Sequence, residues 1–210
     1  MDIVDPRIEQ YMLGLQARLD DPVLLEMEAE AAARHFPIIG RLVGATVEIQ
    51  ARAIGARRVV ELGSGYGYSA YWFSRAAGAD GEVHCTDGDP KNEGKALDYL
   101  GRAGLAAPIN WHVGDAVTTL NALEGEFDVV YNDIDKHGYP DAWRAARDRI
   151  RVGGLYLCDN VLWHGRVTGV EPDGDTPAIL DHNAMIAADG RYLSTIIPTR
   201  DGIMVALRVS

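Results

Sequence analysis

Residues 59–69, VVELGSGYGYS, read as a strand, a glycine turn and the opening of a helix. Gly63, Gly65 and Gly67 permit positive φ and close approach of a ligand to the backbone. A dinucleotide-binding turn needs glycine at the sixth position counted from Gly63, for tight helix–strand packing, and Tyr68 stands there. The Gly-Lys-Ser/Thr of nucleoside triphosphatases is missing as well. The turn is therefore wrong in detail for NAD or a triphosphate, and serves either another ligand or a plain connection.

Outward from this turn, β-rich runs alternate with helical segments. The runs are RRVVE (57–61), EVHCTD (82–87), INWHVGD (109–115), FDVVYND (127–133) and GLYLCD (154–159). Segments near 68–77, 90–103, 116–123 and 138–150 have helical composition. Such alternation, with near-continuous apolar strands, predicts a doubly wound α/β sheet, mostly parallel, with helices on both faces. YLSTIIP (192–198) and GIMVALRV (202–209), joined through Asp201-Gly202, predict a closing hairpin and an antiparallel C-terminal strand. Upstream, residues 2–35 look helical, with Ile8, Met12 and Leu15 at helical spacing and Asp21-Pro22 as an internal N-cap. A further helix is expected from about 38 to 55. The reading is one domain over 1–210, with helices in 1–55 and the sheet core in 56–210.

Composition narrows the function. The chain has 210 residues, 47% hydrophobic and 24% charged, with a formal net charge of −11. That is globular composition, and the acidic balance argues against a broad nucleic-acid footprint, which needs basic surface. No window approaches about 18 consecutive apolar residues, so no membrane span is expected. The polar start MDIVDPRIEQ does not resemble a signal peptide. Cys85 and Cys158 sit in apolar runs without metal-ligand spacing, which suggests reduced core thiols in a cytoplasmic protein.

The parallel-type strands all end in or beside an acid: Glu61, Asp87, Asp115, Asp133 and Asp159. Open α/β sheets bind ligands at the carboxyl ends of their strands, so this row suits hydroxyls, amines and cations; Asp is also a favoured N-cap for the helix that follows. Asp87, with Gly88 beside it, is placed to accept hydrogen bonds from a ribose diol, and Asp115-Ala116 to edge an adenine. Nothing is built for pyrophosphate, so an adenosyl group without phosphates fits best. Asp133 and Asp159 are separated by enough chain for one helix and a return strand. A right-handed crossover makes their strands neighbours, and Asp133, Asp159 and Asn160 then converge as oxygen ligands. All-oxygen ligation suits a hard cation, Mg²⁺ foremost, or Ca²⁺ or Mn²⁺.

ExGxxxG followed by an acid after the second strand resembles the class I S-adenosylmethionine-dependent methyltransferases, which implies a Rossmann-like fold. The resemblance gives Glu61 the support of the loop, places Gly63, Gly65 and Ser69 along the methionine part, Asp87 and Gly88 at the ribose, and Asp115 with Ala116 at the adenine. YNDIDKHGY (131–139) and YLCDNVLWHG (156–165) are similar to the cation-dependent catechol and caffeoyl-coenzyme-A O-methyltransferases, from about residue 35 to the C-terminal hairpin. That pattern implies Asp133, Asp159 and Asn160 as metal ligands, Asp133 also touching the methionine amine, and Lys136 as general base. Ile134 stands where catechol-type enzymes carry histidine, and Asp135-Lys136 looks more like the caffeoyl and bacterial branch, whose members are commonly homodimers. Ile39 stands where an acid is common.

The implied reaction is methyl transfer to a metal-chelated vicinal diol, a small-molecule acceptor. Transfer-RNA hydroxyuridine methylation and non-catalytic adenosylmethionine binding are the alternatives. Tyr139, Trp163 and His164 are candidates to wall an aromatic acceptor or to pack in the core. Residues 165–177 are a candidate lid. His112 is expected to be a satisfied sheet residue, and the arginines at 144, 147, 149 and 151 to end a helix against its dipole.

Overall fold

The computed structural model describes residues 2–16, 19–105, 107–169 and 174–210. Three helices come first: α1 (Pro6–Leu15), α2 (Pro22–Arg34) and α3 (Gly40–Ala53). The Asp21 carboxylate accepts from the Val23 and Leu24 amides, so Asp-Pro starts α2 as expected. The alternation then runs β1 (Arg58–Leu62), α4 (Tyr68–Ala77), β2 (Glu82–Asp87), α5 (Pro90–Arg102), β3 (Ile109–Val113), α6 (Ala116–Ala122), β4 (Phe127–Asn132), α7 (Tyr139–Ala146), β5 (Ile150–Cys158), α8 (Thr176–Ala188), β6 (Tyr192–Ile197) and β7 (Ile203–Arg208).

The seven strands lie in the order β3-β2-β1-β4-β5-β7-β6. Strands β1 to β5 are parallel, and β7 runs antiparallel between β5 and β6. The doubly wound, mostly parallel sheet with an antiparallel C-terminal strand is thus the observed fold. Trp72 and Phe73 of α4 share one face with Leu24, Met27 and Tyr99. Trp143 of α7 and Ile179 and Ile186 of α8 fill the other. Gly44 exists for this packing: a Cβ there would lie 2.2 Å from the Trp72 indole nitrogen. Among the described residues no helix is long and apolar enough to cross a membrane.

Three local expectations are corrected. Strand β5 begins at Ile150, not Gly154, because Gly153 (φ +80°) and Gly154 are absorbed into the strand at a register shift against β4. Consequently α7 stops at Ala146 and the arginines do not share one helix end. Arg149 donates to the carbonyls of Leu120, Leu123 and Gly125, and Arg151 pairs with Asp128 from within β5. Helix α8 is not foreseen at all, although it buries Ile179, His182 and Ile186.

The sheet order reverses between β1 and β4, where doubly wound folds open a crevice. Gly63 lies at that point with φ +85°, and a Cβ there would stand 2.7 Å from the Asp133 carbonyl oxygen. The close approach its absent side chain permits is therefore by the end of β4. We expect Gly63→Ala to lower stability by about 1–3 kcal/mol in chemical denaturation; a wild-type midpoint would show that the two strand ends can part freely.

Candidate functional site

The glycine turn is stitched to the end of β2. The Ser64 amide donates to the Thr86 carbonyl (2.8 Å), the Thr86 hydroxyl donates to the Glu61 carbonyl (2.9 Å), and the Gly63 amide donates to the Thr86 hydroxyl (3.2 Å). The Ser64 hydroxyl donates to Glu61 Oε2 at 2.9 Å, while Glu61 Oε1 is buried without a partner. Burial pushes the Glu61 carboxyl up to about 7, against the pull of the Ser69 and Ser64 hydroxyls. Sequence reading missed Ser64 and Thr86, which carry no motif of their own. Gly65 has φ +52°, and a Cβ there would meet the Phe36 ring at 3.0 Å. Gly63 and Gly65 are thus both required by protein packing.

Asp87 closes β2. Its Oδ1 accepts from the Asp89 amide (2.8 Å) and from Asn92 Nδ2 (3.0 Å). Gly88 follows on the surface with open space where a Cβ would be. The end of β3 lies alongside, the Gly114 amide donating to the Asp87 carbonyl at 2.9 Å. Asp115 is the N-cap of α6: Oδ1 accepts from the Thr118 amide at 2.7 Å, and bonding to Thr118 holds its carboxyl below the usual range. Ala116 is buried in the first turn of α6. The capping role foreseen for these acids therefore holds at Asp115.

At the other side of the crevice, β4 and β5 pair with Asn132 opposite Cys158. The next residues, Asp133 and Asp159, leave neighbouring strands side by side, at the roughly 5 Å spacing of a sheet. The Asp159 amide donates to the Asn132 carbonyl (3.1 Å), and the Asp133 amide to the Leu62 carbonyl (2.8 Å). Burial raises both carboxyls, and at Asp159 the charge of Asp133 raises it further. Asp159 Oδ1 is buried without a partner. Asn160 follows in the left-handed region, at φ +58°, a backbone strain of the kind that collects at functional sites.

Lys136, in a one-turn 3-10 helix, donates to Asp133 Oδ1 at 2.9 Å, and its ammonium lies 5.0 Å from the centre of the Tyr139 ring. The ion pair within the DIDK turn is therefore present. Tyr139 is fully buried and donates its hydroxyl to the Asp159 carbonyl at 2.8 Å. It supports the turn from beneath and does not wall an acceptor. Trp163 (φ +47°) and His164 (φ +53°) stand in a tight turn, where the His164 amide donates to Asp201 Oδ1 at 2.5 Å. Of the expected lid, residues 170–173 lie outside the described residues; the flanks are the end of a 3-10 segment, Trp163–Thr168, and the start of α8. His112 is paired, with its Nε2 3.1 Å from His84 Nδ1. Cys85 and Cys158 are free and buried.

Two carboxylates and an amide, all hard oxygen donors, suit a divalent cation. The unpartnered Asp159 oxygen and the two carboxyls raised by burial fit a positive charge that is not supplied by the protein alone. Among the described residues no group of three or more His, Cys, Asp or Glu side chains is arranged to hold a metal, so any cation here depends on Asn160 and on non-protein ligands. Arg200 belongs to no sequence motif, yet its charge pulls both carboxyls down.

Comparison with known proteins places the chain in a family. The family model described as O-methyltransferase matches residues 20–209. The "Probable caffeoyl-CoA O-methyltransferase 1" of Dictyostelium discoideum is 30% identical over 196 residues, covering 89% of this chain and 84% of its own. The catechol O-methyltransferase of Niastella koreensis is 29% identical, covering 90% and 89%. Among solved structures, the O-methyltransferase TomG of Streptomyces achromogenes, in complex with SAM, superposes with a TM-score of 0.83 at 27% identity, covering 91% of each chain. A match across nearly the whole sheet and its strand-end loops identifies the chain as a member of the O-methyltransferase family.

Proposed function

We propose that the chain transfers the methyl group of S-adenosylmethionine to one hydroxyl of a vicinal diol, a catechol-like or caffeoyl-type small molecule, in a reaction that depends on a divalent metal. The observation that carries this reading is the pair of carboxylates on neighbouring strand ends, Asp159 with a buried unpartnered oxygen and Asp133 bonded to Lys136. The catechol and caffeoyl-CoA names of the relatives and the SAM complex of TomG support it.

In this reading Asp87, with Gly88, accepts hydrogen bonds from the ribose, and Asp115 and Ala116 border the adenine. Glu61 steadies the loop through Ser64, and Gly63, Gly65 and Ser69 line the methionine part. Asp133, Asp159 and Asn160 hold the cation, Mg²⁺ foremost, with Ca²⁺ or Mn²⁺ as substitutes, and Asp133 also faces the methionine amine. A divalent cation bound there would supply a Lewis acid that lowers the pKa of a diol hydroxyl. Lys136 stands beside Asp133, where, as the neutral amine that a bound cation would favour, its Nζ would take the proton the hydroxyl gives up. The ends of β1, β2, β4 and β5 hold donor and acceptor on one edge, and this positioning is the main part the protein plays in the transfer.

The chain is read as a single unit: the Tyr66 hydroxyl, next to the glycine turn, donates to the Met27 carbonyl of α2 at 2.9 Å, tying residues 1–55 to the core. Ile8, Tyr11 and Leu15 expose an apolar stripe on α1, which supports a homodimer. Sedimentation as a monomer at micromolar concentration would remove that part of the reading. The buried free thiols support a cytoplasmic setting.

The test is a methyl-transfer screen over catechols, caffeoyl conjugates, flavonoids and transfer RNA, repeated with Lys136→Ala. We expect diols to be methylated and transfer RNA not, and the variant to lose about 10²- to 10⁴-fold in kcat with a changed pH profile. Undiminished transfer by Lys136→Ala rules out the lysine as base, and methylation of transfer RNA alone rules out the small-molecule reading.

A further inference from the structure

The loop between β6 and β7 carries Arg200, near enough for its charge to act on Asp133 and Asp159. Arg200 has φ +51°, a conformation that costs a non-glycine residue backbone energy. The loop is clamped on its far side to the turn that follows Asn160: the Val161 amide donates to the Gly202 carbonyl (3.1 Å) and the Leu162 amide to the Asp201 carbonyl (2.9 Å). On its near side Arg200 Nη1 donates to the Ile38 carbonyl at 2.7 Å. The guanidinium lies over Gly40, where a Cβ would stand 3.0 Å from Nη1. Gly40 keeps that space open, and its own φ of +70° suits glycine as well.

Beside this arginine is a cavity of ≈ 410 Å³, walled by Leu13, Glu28, Ile38, Arg41 and Arg200 among others. Its size falls in the range of small-molecule clefts, roughly 300–1,000 Å³. Arg41 is already neutralised, bonded twice to Glu28 and once to Asp20. Glu28 is closed further by the Tyr68 hydroxyl at 2.7 Å. Glu9 also contributes to the wall and forms no ion pair with Arg200. Arg200 has no carboxylate partner among the described residues, although the chain carries a net charge of −11 and most of its arginines are ion-paired. Arg200 is exposed, so its remaining guanidinium donors are open to a ligand arriving from solvent.

We propose that Arg200 is a specificity-determining residue that binds a carboxylate group at the mouth of the transfer site. This rests on the methyltransferase reading above. Two sources offer that chemistry: a carboxylate carried by the diol acceptor and the methionine carboxylate of the donor. A guanidinium matches either with two parallel hydrogen bonds, which a lysine cannot reproduce.

Arg200→Gln removes the charge, and Arg200→Gly removes it while relieving the left-handed backbone, so the second variant guards against loss of folding. Two measurements are made on the full chain with Mg²⁺. The first compares kcat/KM for protocatechuate and dihydrocaffeate with kcat/KM for uncharged 4-methylcatechol. The second is calorimetric titration with S-adenosylmethionine.

If the acceptor carries the carboxylate, the acid-to-neutral ratio falls about tenfold in both variants, through KM, with Arg200→Lys in between. If the donor carries it, S-adenosylmethionine binding weakens about tenfold and the ratio stays put. Both quantities at wild-type values in Arg200→Gly overturn the proposal. Equal loss toward acid and neutral diols, with donor binding intact, also overturns it, because Arg200 would then be only a latch on Ile38. Wild-type protein that neither binds S-adenosylmethionine nor methylates any diol is a different result: it removes the methyltransferase reading, and this inference with it.

Discussion

Asp159→Ala is expected to abolish metal-dependent turnover, by on the order of a thousandfold or more in kcat, while affinity for S-adenosylmethionine changes little. The asymmetry follows from position. Asp159 leaves β5, the strand beyond the crevice, whereas the residues assigned to the nucleoside lie on the β1, β2 and β3 side. Its Oδ1 makes no hydrogen bond, and its carboxyl is raised by burial and by the neighbouring Asp133 charge. Keeping it charged therefore works against the metal-free fold. Removing it relieves that repulsion, and the bond from Tyr139 survives because it goes to the backbone carbonyl. The variant should accordingly match or exceed the wild type in thermal stability without added metal. Equal loss of donor affinity by calorimetry contradicts the assignment of Asp159 to the cation.

The second large effect is the reverse. Asp87→Ala is expected to weaken S-adenosylmethionine binding by about 10- to 100-fold, the loss of one or two charge-assisted hydrogen bonds. Both bonds within the protein fall on Oδ1, from Asp89 and Asn92, so those donors would lose their acceptor too. Asp87→Asn keeps the shape and one acceptor oxygen, and should lie between. At saturating donor, turnover of either variant should fall much less than that of Asp159→Ala. Wild-type donor affinity in Asp87→Ala shows that the ribose is held elsewhere.

The sequence made most of the strand–helix alternation legible: α4, expected near 68–77, spans Tyr68–Ala77, and α5 and α6 end within one residue of expectation. Strand β2 matches its expected bounds, Glu82–Asp87, because a buried parallel strand is a short apolar run with a sharp polar end. The two edges of that rule produced the errors. Gly153-Gly154 looked like a strand start, since glycine usually punctuates, but the register shift carries the pairing through them. Helix α8 has apolar residues spread around its circumference rather than along one stripe, so periodicity gave no signal.

The same division runs through the site. Asp133 and Asp159 could be read because topology alone brings neighbouring strand ends together. Glycine chemistry was half legible: positive φ at Gly63, Gly65 and Gly67 is observed, but the atoms crowding Gly63 and Gly65 come from β4 and Phe36. For Tyr139 the sequence leaves an acceptor wall and core packing both open, and its burial beneath the turn is decided by tertiary packing. Thr86 and Arg200 were invisible for the same reason, as the carbonyls of Glu61 and Ile38 that they bond lie 25 and 162 residues away in the chain.

The central claim is that a divalent cation held by Asp133, Asp159 and Asn160 is needed for methyl transfer. The direct measurement is initial transfer rate from S-adenosylmethionine to 4-methylcatechol, before and after exhaustive treatment with EDTA and then on return of Mg²⁺, Mn²⁺ or Ca²⁺. The account predicts loss of activity on chelation, with donor binding retained, and recovery when Mg²⁺ is returned. Chelated protein that methylates the diol at its original rate contradicts it.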